Sequence, residues 1–235
     1  MDKIAKKLDL KAMGPVSKFL GMNFKRPNKY ELNIDLTNYT HEIIKRFNKE
    51  KIRHVDTPMV PGLKLKKANI EPDEAIILNY QKEIGVLLYL TLKTRPDITN
   101  AVLLCSRYMS KPDNTHIKAL NRIWGYLNKY PDFSLKIKKG PETAENRILI
   151  YTDSDYASNL DDRKSTGAYI SLFKGNIISW ATKKQDIVTL SSTEAEYIAL
   201  REASKEAIYL NNLLNEINNY LTLFIIKKPT ILIDN

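Results

Sequence analysis

The feature that most constrains this chain is one uninterrupted amphipathic stretch, STEAEYIALREASKEAIYLNNLLNEIN, set between segments of strand character. With Ala199 at zero and about 100° per residue, Ala203, Ala207, Leu210, Leu214 and Ile217 fall within about 80° of one another. The spacing predicts one helix over Ser192–Asn218 with a single apolar stripe. Before it, runs rich in β-branched residues predict strands at Arg147–Asp153, Gly167–Phe173 and Asn176–Thr182, with Lys174-Gly175 as a tight turn between the last two. After it, TILID predicts a short buried strand at Thr230–Asp234. A helix leading from antiparallel strands to a final one places that strand beside the first and parallel to it. The expected order is β-β-β-α-β in a mixed sheet.

Upstream the pattern differs. FLGMNF, the turn signal RPNK and the strictly alternating YELNIDL predict a hairpin over residues 19–36. Apolar periodicity predicts helices at Thr37–Asn48, Tyr80–Leu92, Thr99–Met109 and Asn114–Asn128, with Pro96 placed to start the third. TPMVPGLKLKK reads as an extended connector. The polar stretch 136–146, KIKKGPETAEN, reads as a boundary, giving two units, 1–140 and 141–235. The fold class expected is α/β (mixed α+β), a mixed sheet preceded by a hairpin and a mostly helical region.

Charge follows the same division. The chain carries a net +10; residues 1–140 hold 27 Lys and Arg against 14 Asp and Glu, whereas 141–235 hold 10 against 13. A basic first part joined to a slightly acidic second suits a polyanionic partner, although a solvated lysine-rich surface accounts for the same numbers. The one cysteine, Cys105, excludes an internal disulfide and fits a reducing compartment. The N-terminal residues have no signal-peptide core, and the longest apolar run, Gly85–Leu92, is too short to span a bilayer. The expected location is intracellular, cytoplasm or nucleus, with no membrane association.

Two strands end in acid, YTDSD at 151–155 and ILIDN at 231–235. As parallel neighbours they bring Asp153 and Asp234 together at the carboxyl end of the sheet, where open sheets place their ligands. Adjacent carboxylates repel unless a cation neutralises them, and oxygen-only ligands select a hard cation. On the helical wheel Glu196 falls inside the apolar stripe, and Glu194 faces outward. Two roles compete for Glu196: a capping box with Thr193, or metal ligation. Ser191 with Glu194 has the same capping spacing, which leaves Glu196 free to ligate.

ILIYTDSDYASNLDDRKSTGAYI, GNIISWATKKQDIVTLSSTEAEYIAL and ILIDN resemble the ribonuclease H region of copia-type LTR retrotransposon Pol polyproteins. FLGMNFKR, TPMVPGLKL, IGVLLYLTLKTRPDI and SRYMSKPDNTHIKALNRIWGYL resemble the end of that family's reverse transcriptase and its connection to ribonuclease H. The resemblance covers essentially the whole chain, with the motifs in order. It implies that residues 1–140 are the reverse transcriptase C-terminal and connection region, without the paired polymerase aspartates. Residues 141–235 would be a ribonuclease H-like domain, truncated after Asn235.

The resemblance makes Asp153, Glu196 and Asp234 three of the family's four acidic magnesium ligands, with Asp155 a neighbour and Asp161 and Asp162 solvent-facing. It implies two Mg2+ ions in the intact parent, hydrolysis of RNA in RNA–DNA hybrids, and nucleic acid and the rest of the Pol polyprotein as partners. Trp180 is expected to be packed rather than stacked on a base, and none of His41, His54 and His116 to be catalytic. By itself the chain is expected to have no polymerase activity and little nuclease activity. Three readings follow: a ribonuclease H-type endonuclease active in its parent, a catalytically inactive nucleic-acid-binding remnant, and a non-functional transposon fragment.

Overall fold

The alternating Glu31–Asp35 segment forms strand β3, paired antiparallel with β2 (Met22–Asn28) as the hairpin pattern predicts. The computed structural model from which this is read describes residues 14–69, 71–140, 145–221 and 226–233. Two further strands extend the hairpin to a four-stranded sheet: β1 (Lys18–Phe19) against β2, and β4 (Leu135–Lys138) against β3. Strand β4 occupies the start of the stretch read above as a polar boundary. Leu135 and Ile137 are half-buried opposite Ile34 and Leu32, a pairing across a hundred residues that local composition does not reveal.

This part of the chain also contains α1 (Thr37–Arg46), α2 (Glu74–Lys93), a 3-10 turn at Pro96–Ile98, α3 (Thr99–Ser106) and α4 (Asn114–Lys129). Helix α2 starts six residues before the expected Tyr80, because the Asp73 carboxylate accepts the Ala75 N–H at 3.0 Å and caps the added turn. Leu36, Ile43, Ile84, Leu87, Val102, Ile123, Trp124 and Leu127 form the apolar core of this part. One carboxylate lies inside it. Glu83 accepts the Trp124 indole N–H and an Asn79 amide N–H, each at 2.7 Å, and pairs with Lys49 Nζ at 2.9 Å.

Strands β5 (Ile148–Asp155), β6 (Thr166–Phe173) and β7 (Asn176–Lys184) form an antiparallel meander. Helix α5 (Ser192–Leu221) then crosses to β8 (Thr230–Ile233), which pairs with β5 in parallel. The order β7-β6-β5-β8 is the mixed sheet that the crossover argument predicts. Ala203, Ala207 and Leu210 of α5 pack on Ile148 and Ile150 in an apolar cluster separate from the first. Among the described residues no helix is long and apolar enough to cross a membrane.

Polar contacts join the two halves. The Trp180 indole N–H donates to the Thr91 carbonyl at 2.8 Å, and the Lys67 N–H donates to Asp161 Oδ1 at 3.0 Å. Asn176 bridges to Lys138 through both its amide oxygen and its amide nitrogen.

Replacing Lys49 with methionine leaves the Glu83 carboxylate buried without its counterion, and should cost about 3–5 kcal/mol by urea unfolding. A second expectation concerns acid. Burial pushes the Asp35 carboxyl up, but the Lys25 pair, Asn23 and the Thr37 bonds outweigh it and hold the pKa at about 2. The stability this contributes is present above the unfolded-state carboxylate pKa and is lost as pH falls from about 4 toward 2. In Asp35→Asn, acid titration of unfolding should be flatter across that window.

Candidate functional site

Strand β5 presents two different faces. Ile148, Ile150 and Thr152 point toward α5 and are buried, while Asp153 and Asp155, of opposite parity, are exposed on the other side. Thr152 donates its hydroxyl to the Ala168 carbonyl at 3.0 Å, which helps hold this end of the strand in register. In the ladder Asp153 stands opposite Ala168 and Asp155 opposite Thr166.

The two aspartates border a cleft whose far wall belongs to the first half of the chain, including Lys64, Leu104, Arg107 and Tyr108. Arg107, just past the end of α3, donates from Nη2 to Thr166 Oγ1 at 2.8 Å. Burial lowers its pKa from the ordinary value, against the opposing influence of Tyr108, Asp162 and Asp155. A guanidinium remains charged under such a shift, so the cleft holds a fixed cation beside two acids. Nothing in SRYMSK marks Arg107 as a site residue; only the docking of the halves brings it 59 positions along the chain to Thr166.

Helix α5 begins with the two glutamates that sequence spacing could not fully separate. The Glu194 N–H donates to Ser191 Oγ at 3.1 Å, and its carboxylate accepts the Leu190 N–H at 2.7 Å. Glu194 therefore completes the helix cap with Ser191. Glu196 is half-buried one turn along, and among the described residues its carboxylate has no hydrogen-bond or ion-pair partner; the Asp153 carboxylate has none either. The first turns of α5 lie close to β6. A Cβ on Gly167 would stand 3.2 Å from the Ala199 Cβ, and the Gln185 side-chain amide donates to the Ala195 carbonyl at 2.8 Å.

Asp234 lies outside the described residues. Strand β8 is described up to Ile233, which pairs with Thr152, the residue before Asp153. Among the described residues no three His, Cys, Asp or Glu side chains stand close enough to hold a metal ion. The structure thus puts Asp153 two residues before the end of β5 on the open face and Glu196 on the helix that packs on the other face.

The remaining candidates resolve readily. Asp161 and Asp162 are exposed, with Asp161 accepting the Lys67 N–H and Asp162 paired to Lys184 Nζ at 2.6 Å. Trp180 is half-buried and held by its bond to Thr91, while Tyr156 is exposed. His116 is fully buried, its Nδ1 accepting the Asp113 N–H in the α4 capping box and its ring stacked on Tyr108. His41 and His54 are exposed.

Relatives give the architecture its lineage. The chain is 34% identical over 220 residues to the retrovirus-related Pol polyprotein from transposon TNT 1-94 of Nicotiana tabacum, a match covering 91% of this chain and 16% of that protein. It is 34% identical over 237 residues to the corresponding polyprotein from transposon RE2 of Arabidopsis thaliana, covering 100% of this chain and 16% of that protein. It is also 38% identical over 131 residues to the secreted RxLR effector protein 161 of Plasmopara viticola, covering 56% of this chain and 90% of that one. No family model and no solved structure matches the chain. A retroelement polyprotein is the class that these long matches define, and the chain spans 16% of the length of the two polyproteins. It belongs to the copia-type retrotransposon Pol polyprotein family.

The division of labour between the glutamates is measurable. Ser191→Ala should lower stability by about 1 kcal/mol through loss of the cap. Glu196→Gln, which breaks no bond among the described residues, should change it by less than about 0.5 kcal/mol in the same urea titration.

Proposed function

We propose that residues 141–235 serve the Pol polyprotein as a ribonuclease H-type nuclease part acting on RNA–DNA hybrids, with residues 1–140 as the end of its reverse transcriptase and connection. The observation that carries this reading is the exposed, unengaged carboxylate of Asp153 beside the parallel β5–β8 pairing, together with a second unengaged carboxylate, Glu196, in the first turns of α5. Asp153 sits one residue beyond the last described β5–β8 pairing, and Glu196 stays free because Glu194 makes the cap. The donor set fits a hard cation, since Asp153, Glu196 and Asp234 offer only carboxylate oxygen. In this reading those three residues hold Mg2+, which when bound supplies an activated water and stabilises the leaving oxygen of the phosphodiester.

The chain's own residues have definable tasks. Exposure of Asp153 leaves its oxygens open to the cleft rather than spent on protein donors. The close Gly167–Ala199 approach fixes the first turns of α5 against the sheet, and with them the backbone that carries Glu196. Arg107, tied to Thr166, offers a charged donor suited to a phosphate oxygen on the same side as Asp153.

A second reading, a nucleic-acid-binding segment without catalysis, is favoured by the lack of any three-acid cluster among the described residues. Cleavage of a labelled RNA–DNA hybrid by the parent polyprotein separates the two. Under the first reading cleavage needs magnesium and falls at least about 100-fold in Asp153→Asn and in Glu196→Gln, whereas Glu194→Gln retains most of it. Cleavage indifferent to Asp153 would overturn the nuclease assignment, and hybrid binding without cleavage would select the second reading.

A further inference from the structure

The connector read from sequence as extended is pinned to the fold at two points. The Tyr108 hydroxyl donates to the Leu65 carbonyl at 2.8 Å, and Asp161 accepts the Lys67 N–H at 3.0 Å. A turn with Gly62 at φ 71°, closed by the Leu63 N–H to the Val60 carbonyl at 3.1 Å, precedes this segment. Leu65 is buried, so its neighbours Lys64 and Lys66 are turned outward, about 6.6 Å apart if the strand is extended. Across a groove lies α4, which presents Lys118 and Arg122 four residues apart on one helical face.

With Lys67, five cations line this groove, and Asp113 is the one acid among the lining residues. Asp113 is already committed to capping α4. Among the described residues none of the five side chains forms an ion pair. Arg122 donates from Nη2 to Thr57 Oγ1 at 2.8 Å, while its Nε is buried without a partner. Five like charges gathered in a concave surface on a pinned backbone repel one another, a cost that an anionic ligand removes. The apolar lining is aliphatic, Val60, Leu63, Leu65 and Ala119, with no ring on which an unpaired base could stack.

We propose that this groove, between residues 60–67 and α4, is a binding site for the phosphate backbone of a nucleic-acid duplex. The inference rests on the nucleic-acid role proposed above and assigns it a surface. A duplex fits better than a single strand because cations are plentiful here and stacking platforms are missing. Leu63, Lys64 and Leu65 also border the cleft that holds Asp153, so a backbone lying in the groove leads toward that cleft.

The test is fluorescence anisotropy of a labelled RNA–DNA hybrid with the full chain, between about 50 and 200 mM salt. Lys64→Gln, Lys66→Gln and Lys118→Gln together should reduce the slope of log K against log salt by about 2–3, at about 0.9 per phosphate contact. The control removes the same charge elsewhere, by Lys29→Gln, Lys82→Gln and Lys136→Gln, and should change the slope by less than about 1. All six lysines are exposed, and circular dichroism with a urea midpoint verifies that both variants fold. Equal losses in the two variants, or no loss in the first, overturn the groove. Tighter binding of the single RNA strand than of the hybrid overturns the duplex assignment. The groove survives if the first variant alone loses slope while cleavage proves independent of Asp153, an outcome that removes only the nuclease reading.

Discussion

The contact of α5 with the second sheet governs what lies on either side of that sheet. Its buried stripe is made mostly of alanine, Ala195, Ala199, Ala203 and Ala207, so backbone rather than side chain sets the separation. Opposite Ala199 is a glycine, Gly167, and a methyl group there would already be in tight contact. A helix held so close covers the centre of one face and delivers the chain to β5's free edge, where β8 pairs in parallel. It also commits the other face, with Tyr151, Asp153 and Asp155, to whatever the first half of the chain provides.

What the first half provides is mainly polar. Each half buries its own apolar cluster, and the bonds across the junction run from side chains to backbone or to other polar side chains: Trp180 to Thr91, Arg107 to Thr166, Asp161 to Lys67 and Asn176 to Lys138. Such a junction is not filled by interlocking apolar groups, and it leaves room for the cleft beside Asp153. The helical half gains its own rigidity from a buried ion pair, Glu83 with Lys49, and from the fully buried Arg95, which forks onto Asp97 and reaches the Tyr130 carbonyl. Groups of this kind are costly to bury alone, so they hold one arrangement of the helices.

The hairpin, the helices and the order of the second sheet were legible because each depends on a short-range period: two for the strand YELNIDL, about 3.6 for the alanine stripe. Helix α2 starts earlier than its periodicity predicts, since Asp73 announces the cap but the residues after it lack a clear stripe. Strand β4 was invisible for another reason. Leu135 and Ile137 alternate over only four residues, and their burial exists because β3 lies a hundred residues upstream.

At the candidate site the sequence by itself determined which residues could matter. Acid at the ends of two strand signals and glutamate in a first helical turn follow from composition and period, and the family likeness rests on the same motifs. Spacing alone left both caps open, because Ser191–Glu194 and Thr193–Glu196 are spaced identically, and only the helical wheel favoured Glu194 as the outward, capping residue. The folded chain settles the cap locally, with the Leu190 N–H bonded to the Glu194 carboxylate four residues on. Tertiary structure alone brought Arg107 to Thr166 and pinned Lys64 and Lys66 along a groove, for these placements depend on docking between distant segments. A one-dimensional pattern records the faces of each element; which faces meet is set by packing across the whole chain.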